Sequence, residues 1–209
     1  MLPRHGSVHD LMPGALLVAS RGLGDPNFFH TVILLVHHDA DGAMGLVLNR
    51  RTDVPIGRIF ESLEAARDHT APVFMGGPVA LTGAQALVRS SSAIADGRRL
   101  VGDVYVLGSR EALTRRLAGA IDADRFRLYL GYAGWGPGQL EEEVDEDAWH
   151  VFEANAGVVF DPDPATLWNR QIRRTDVRRA AAPIKSFFKS THQASPALMG
   201  SICSLNSWP

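Results

Sequence analysis

One glycine-rich stretch constrains this chain more than any other: Gly131-Tyr-Ala-Gly-Trp-Gly-Pro-Gly-Gln-Leu-Glu-Glu-Glu143. Five of its first eight residues are Gly or Pro, a composition typical of tight turns. The alternating segment Phe126–Leu130 before it predicts a strand. Leu140 and Val144 after it lie four residues apart, which predicts a short helix with both on one face. We therefore expect a strand, a tight turn and a helix start in this order.

The glycine-rich turn admits two interpretations. Its backbone N–H groups, with those of Gly76-Gly77-Pro78, can form an anion-binding nest, and Trp135 beside the Gln139 amide suits a planar polar ligand. Alternatively, the glycines allow close backbone packing, and Gln139 ties down the turn. Asn49 ends a predicted strand and either faces the turn or satisfies its own backbone. The candidate ligand-binding residues are Asn49, Gly76, Gly77, Pro78, Gly134, Trp135, Gln139 and Glu141.

Length and composition indicate one globular domain. The chain has 209 residues, 45% hydrophobic and 21% charged. No apolar run approaches the roughly 18 residues of a membrane span, and the polar first ten residues contain no secretory signal. Cys203 is the only cysteine, so a disulfide framework within the chain is excluded. We expect a cytoplasmic protein with no membrane association.

Charge is unevenly distributed along the chain. Residues 170–209 hold seven basic residues and one acid, a formal charge of +6, which leaves −8 for residues 1–169 out of the total of −2. Such a basic end can bind polyanions without sequence preference, or it can fold back onto the acidic body. The basic residues that would contact nucleic acid are Arg170, Arg173, Arg174, Arg178 and Arg179.

Periodicity predicts a mixture of strands and helices. The apolar strands Thr31–Val36 and Gly45–Asn49 flank the hairpin signal Asp41-Gly42, which predicts an antiparallel pair. Further strands are expected at 14–19, 72–75, 84–89, 104–107, 149–154 and 157–160. Helices are expected to begin at Asp25-Pro26, at 56–63, after the N-cap Ser109, and at Asp163-Pro164.

Four stretches of this sequence together resemble the YqgE/AlgH family of bacterial proteins. They are Asp25-x-x-Phe28-x-x-Thr31-Val32, Gly42-Ala-Met-Gly45-Leu-Val-Leu-Asn49, Gly76-Gly77-Pro78-Val79 and the run from Gly131 to Glu141. The resemblance spans about Gly14 to Trp168 and implies a compact α/β (α+β) domain with a mixed, strongly curved, partly antiparallel sheet flanked by helices. It implies no agreed catalytic residues, and some members are labelled transcriptional regulators.

No constellation of catalytic or cofactor-binding residues is evident. The six acids between Glu141 and Asp147 lack the spacing of a calcium loop, and we interpret them as a solvated charge run. His37-His38-Asp39 has no companion cluster that would complete a zinc site. Nucleotide-binding glycine motifs and nucleophile-elbow sequences are absent. We therefore expect no cofactor and no metal, and favour a protein that is not an enzyme.

Three functions remain as hypotheses. The first is a non-enzymatic regulatory protein that binds a small molecule or protein in a groove around Gly76–Val79 and Gly131–Glu143. The second is an enzyme acting on a small nucleotide-like molecule in that groove. The third is direct DNA binding, which the acidic body disfavours. We divide the chain into a flexible N-terminus (1–13), a domain (14–175) and a basic, poorly ordered tail (176–209).

Overall fold

A computed structural model describes residues 8–181, with side chains through Asp176. Within these described residues there are ten strands: β1 (Ala15–Ala19), β2 (Val32–Asp39), β3 (Gly42–Val47), β4 (Arg51–Pro55), β5 (Pro72–Met75), β6 (Val79–Arg89), β7 (Arg98–Val101), β8 (Val104–Leu107), β9 (Phe126–Trp135) and β10 (Trp149–Glu153). The α-helices are α1 (Ile56–Ile59), α2 (Arg110–Leu117), α3 (Gln139–Asp145), α4 (Ala156–Val159) and α5 (Pro164–Ala181), and short 3-10 turns occupy Val8–Asp10 and Glu64–Ala66.

The strands form one mixed sheet in the order β10-β1-β2-β3-β9-β6-β8-β7, and β4 and β5 join beside β9. Strands β2 and β3 pair antiparallel across the Asp41 turn, as the sequence predicted. Among the described residues, β5 and β9 form the one parallel pair. The expected mixed, partly antiparallel sheet is therefore confirmed.

Curvature of the sheet is evident from contacts between strands that are distant in its order. A Cβ at Gly14, which precedes β1, would lie 2.8 Å from the carbonyl oxygen of Leu100 in β7. Arg98 of β7 donates to the carbonyl of Val36 in β2. Because five strands separate β1 from β7 in the sheet, these contacts require a strong curl.

The buried apolar residues of the described part of the chain form two clusters. The larger surrounds β1, β2 and β3 and includes Trp149 and Trp168, both buried. The smaller packs α1 and α2 against β5, β6, β8 and the first half of β9. Ser109 caps α2 by accepting from the backbone N–H of Ala112, as predicted.

Several predicted elements differ from the structure. Residues 157–160 were predicted as a strand but lie mostly in α4, because Asn155 accepts from the backbone N–H of Val158 and caps a helix there. Asp25-Pro26 begins a single turn instead of a helix, with the N–H groups of Phe28 and Phe29 both donating to the Asp25 carbonyl. Strands β4 and β7, which carry little apolar alternation, were missed.

Candidate functional site

The two glycine motifs lie side by side, as expected, and they contact each other through backbone. Gly76 N donates to Leu130 O at 2.8 Å, and Val47 N donates to Gly76 O at 2.9 Å. A Cβ at Gly76 would lie 2.2 Å from Gly131 O, and one at Gly77 would lie 2.1 Å from Tyr132 C. These glycines are therefore needed where β3, β5 and β9 converge, and the contacts support the close-packing interpretation over an anion nest.

Strand β9 continues through the glycines to Trp135, so the predicted turn is confined to Gly136-Pro137-Gly138. The Trp135 side chain is 5% exposed and cannot offer an open flat surface to a ligand, which corrects that part of our interpretation. Its indole instead packs within an aromatic cluster with Phe28 and Trp149, at centroid distances of 5.9–6.1 Å. This cluster joins the Asp25–Val32 motif to the glycine-rich motif.

Glu143 organises the turn and was not among the predicted site residues. Its Oε2 accepts from the indole N–H groups of Trp135, at 2.9 Å, and Trp149, at 2.7 Å. Its Oε1 accepts from the Gln139 amide at 2.8 Å. The interpretation of the acidic run as wholly solvated is therefore wrong for this residue. Its position four residues after Gln139 on a helix was the available sequence signal.

Gln139 and Asn49 both satisfy local structure. The exposed Gln139 accepts from Gly136 N at 3.1 Å through Oε1 and donates to Glu143, so its amide stabilises the turn. Asn49 accepts from Val32 N and donates to His30 O, both at 2.9 Å, and joins β3 to the start of β2. Both residues therefore stabilise the backbone, which was the alternative to ligand binding that the sequence left open.

Glu141, the remaining acidic candidate, pairs with a histidine. His38 Nε2 lies 2.7 Å from Glu141 Oε1, and the two side chains are 17% and 31% exposed. His37 contacts Asp39 at 2.9 Å, and the N–H of Asp41 holds the pKa of the Asp39 carboxyl below its usual range. Within residues 8–181, no group of three or more potential ligands is placed to hold a metal.

A cleft of about 440 Å³ opens on the other face of the sheet from His38 and Trp135. The register pairs Ala43 with both His38 and Trp135, whereas Met44 pairs with His37 and Gly134, so the two sets lie on opposite faces. The cleft is lined by side chains from β3, β6, β7, β8 and β9, which are Met44, Gln85, Arg98, Val106 and Tyr132.

The rim of this cleft combines unusual backbone with exposed apolar side chains. Ala80 and Asp96 both line it and adopt positive φ angles of 49° and 61°. Residues held in such conformations concentrate at functional sites. Val79 and Leu81, which flank Ala80, are 38% and 52% exposed. Of the predicted site residues, Pro78 directly precedes this rim, and Gly134 lies against Tyr132 and Val79.

The basic surfaces are largely occupied by contacts within the chain. On α2, Arg115 pairs with Asp96 at 2.8 Å, and Arg116 lies over Phe126. On α5, Arg170 pairs with Asp161 and Asp163, and Arg174 stacks over Phe152. Arg173 is exposed, and the side chains of Arg178 and Arg179 lie outside the described residues. No helix in the described part is long and apolar enough to cross a membrane.

Sequence comparison identifies related proteins. Residues 16–180 match the AlgH-like protein family. A UPF0301 protein of Streptomyces coelicolor is 42% identical over 168 residues, which cover 78% of this chain and 86% of that protein. A UPF0301 protein of Chlorobaculum tepidum is 34% identical over 164 residues, with the same coverage of both chains.

Solved structures share the fold. The solution structure of the AlgH protein from Pseudomonas aeruginosa aligns with a TM-score of 0.64 and 28% identity, covering 83% of this chain and 95% of that chain. The crystal structure of protein DIP2367 from Corynebacterium diphtheriae aligns with a TM-score of 0.66 and 23% identity, covering 83% and 90%. The second likeness concerns the fold alone.

Proposed function

Because this chain belongs to the AlgH-like family, for which no specific function is established, we propose from its own geometry that it is a non-enzymatic, cytoplasmic regulatory protein that binds a small molecule. The proposed site is the cleft lined by Met44, Gln85, Arg98, Val106 and Tyr132. The observation that carries the proposal is the convergence of these side chains from five strands at one opening. Its volume of about 440 Å³ lies within the roughly 300–1,000 Å³ of small-molecule sites.

The lining indicates the chemistry of the ligand. Met44 and Val106 offer apolar contact, and the half-buried Tyr132 ring adds a flat surface. The Gln85 amide, which donates to the Met44 sulfur at 3.6 Å, and the Arg98 guanidinium supply hydrogen bonds at the edge. A small molecule with a flat apolar body and one polar or anionic group fits this arrangement.

In this proposal the predicted site residues divide into three roles. Gly134 lies against the Tyr132 ring, which lines the cleft, and Pro78 directly precedes Val79 at its rim. Gly76 and Gly77 hold the converging strands together beneath it. The remaining four lie on the far face of the sheet or at strand ends: Trp135, Gln139 and Glu141 fix β9 and α3, and Asn49 joins β3 to the start of β2.

Ligand screening with the full chain tests the proposal. We expect hits from a library of small anionic aromatic compounds to perturb backbone amide resonances of Met44, Gln85 and Tyr132. Gln85→Ala and Tyr132→Ala should weaken such a hit at least tenfold, which corresponds to about 1.4 kcal/mol. Glu61→Ala, at an exposed ion pair with Arg58 beside a separate cleft, is the matched control and should bind normally. Equal affinity in all three variants would contradict the proposed site.

The pair of His38 and Glu141 favours an enzyme as the second candidate. A carboxylate at 2.7 Å can orient an imidazole as a general base. The pair lies on the opposite face from the cleft, so a reaction there would require a different substrate site. Incubation of the full chain and a His38→Gln variant with nucleotides and activated esters distinguishes the candidates: turnover lost only in the variant would establish the enzyme.

A further inference from the structure

We propose that the segment Ile184–Lys189 binds a second cleft on its own chain, at the seam where β1 and β10 approach β7. This seam cleft has a volume of about 710 Å³. Its apolar lining includes Met12, Leu100, Val101 and Val151. Met12 is 57% exposed, the largest exposed fraction among the large hydrophobic side chains described. The proposal is independent of the ligand cleft, whose lining residues are different.

The seam cleft has a charged rim as well as an apolar floor. Asp10 and Glu153 supply carboxylates, and Arg174 supplies a guanidinium that is stacked over Phe152 at 4.5 Å. An occupant that combines apolar side chains with positive charge would therefore match both parts of the surface. Burial of apolar area would drive such binding, and pairing with the carboxylates would fix its register.

The segment Ile184-Lys-Ser-Phe-Phe-Lys189 has this combination. Ile184, Phe187 and Phe188 follow the i, i+3, i+4 spacing that places three apolar side chains on one face of a helix. Lys185 and Lys189 lie four residues apart on the adjoining face and are the only lysines of the chain. Amphipathic segments with such spacing bind apolar grooves in other proteins.

The seam cleft is also within reach of this segment. Arg174 at the rim belongs to α5, which ends seven residues later at Ala181, about 10 Å along the helix. Ile184 follows Ala181 by three residues, which span up to about 10 Å when extended, enough to bring the start of the segment back to the rim. The short tether raises the effective concentration of the segment to about the millimolar range, which favours the chain's own cleft over that of a second copy.

Carbodiimide cross-linking of the full-length protein tests this proposal without engineered residues. The reagent joins lysine amines to nearby carboxylates as amides, and Lys185 and Lys189 are the only side-chain amines available. We expect Asp10 and Glu153 to cross-link to them at least fivefold more than Glu64 and Asp145, which are exposed carboxylates outside the cleft. Mass spectrometry of proteolytic fragments identifies each linked pair.

Two controls separate binding from chance encounter. The double variant Phe187→Ser/Phe188→Ser leaves both amines in place and should reduce the Glu153 cross-link several-fold, because it removes the apolar anchors. When isotopically light and heavy chains are mixed, each cross-link should join two residues that carry the same label. Mixed-label products would assign the cleft to a second copy and overturn the proposal, as would equal cross-linking of all exposed carboxylates.

Discussion

Tyr129 places a hydroxyl group in the core at the cost of a hydrogen bond. The residue is fully buried, and its oxygen has no hydrogen-bond partner among the described residues. The neighbouring Arg127 directs its N–H groups to the carbonyls of Val159 and Asp161. Burial disfavours the phenolate and raises the pKa of Tyr129 to about 12, although the charge and the nearby N–H groups of Arg127 act in the opposite direction. Because those N–H groups are directed at the carbonyls of Val159 and Asp161, they form no well-aligned hydrogen bond with the Tyr129 oxygen.

Tyr129→Phe should therefore stabilise the protein and change its response to alkali. Removing an unpaired buried hydroxyl should raise the free energy of unfolding at pH 7 by about 1 kcal/mol. In the wild type, the unfolded chain loses this proton above pH 10 while the folded chain retains it to about pH 12. Stability should fall across this window by about 1.4 kcal/mol per pH unit more than in the variant. Urea titrations at pH 7, 10 and 11 measure both effects. If the free energies of unfolding of the two proteins depended equally on pH, the raised pKa of Tyr129 would be contradicted.

Gly77→Ala tests the close backbone approach of the two glycine motifs. The new Cβ would lie 2.1 Å from the carbonyl carbon of Tyr132, and rigid backbone cannot yield without moving β9. We expect a loss of about 3 kcal/mol or more in the free energy of unfolding, measured by urea denaturation. Gly22→Ala is the control, since nothing lies within 4 Å of its Cβ, and it should stay within about 0.5 kcal/mol of wild type.

At the scale of elements, the sequence predicted those that carry local signals but not the full length of β9, which depends on tertiary pairing. The hairpin of β2 and β3, the capped α2 and the start of α5 carry local signals in caps and turns, and all were predicted. Strand β9 passes through Gly131 and Gly134, which usually end strands, because β3, β5 and β6 all pair with it. Tertiary pairing of this kind has no local signal. The cleft that we propose as a ligand site was not predicted for the same reason, since its side chains converge from five strands.

Glu143→Ala tests whether α3 is fixed to β9 and β10 by one carboxylate. The variant leaves the indole N–H groups of Trp135 and Trp149 without their acceptor, and both side chains are buried. We expect the free energy of unfolding to fall by about 3 kcal/mol, with changed near-ultraviolet circular dichroism of the tryptophans. Glu142→Ala, the exposed neighbour, should change stability by less than about 0.5 kcal/mol. Equal effects of the two substitutions would contradict this role.

At the scale of the whole molecule, charge distribution limits the hypothesis of DNA binding. The −8 formal charge of residues 1–169 repels phosphates, and Arg115 and Arg116 of α2 are engaged within the chain. Of the arginines predicted to contact nucleic acid, Arg170 already pairs with two carboxylates. Any affinity for nucleic acid should therefore be weak and concentrated at Arg173, Arg178 and Arg179.

Fluorescence anisotropy with specific and random DNA tests this expectation. We expect equal affinities for both sequences and a steep loss of binding between 50 and 200 mM salt. Replacing Arg173, Arg178 and Arg179 by Ser should reduce the slope of log K against log salt by about 2 to 3. Replacing Arg115 and Arg116 by Ser is the matched control and should leave the slope unchanged. Sequence-selective binding that survives the triple substitution would restore the DNA-binding hypothesis.

The late position of β9 has a consequence for synthesis on the ribosome. Strand β3 is complete at Val47, but its outer partner begins at Phe126, about 80 residues later. At roughly 5–20 residues per second, the nascent chain carries an open β3 edge for roughly 4–16 seconds. Such edges pair with strands of other chains, which causes aggregation. A chaperone that binds the nascent chain would therefore be most useful during this interval. A product terminated before Phe126 keeps that edge open permanently.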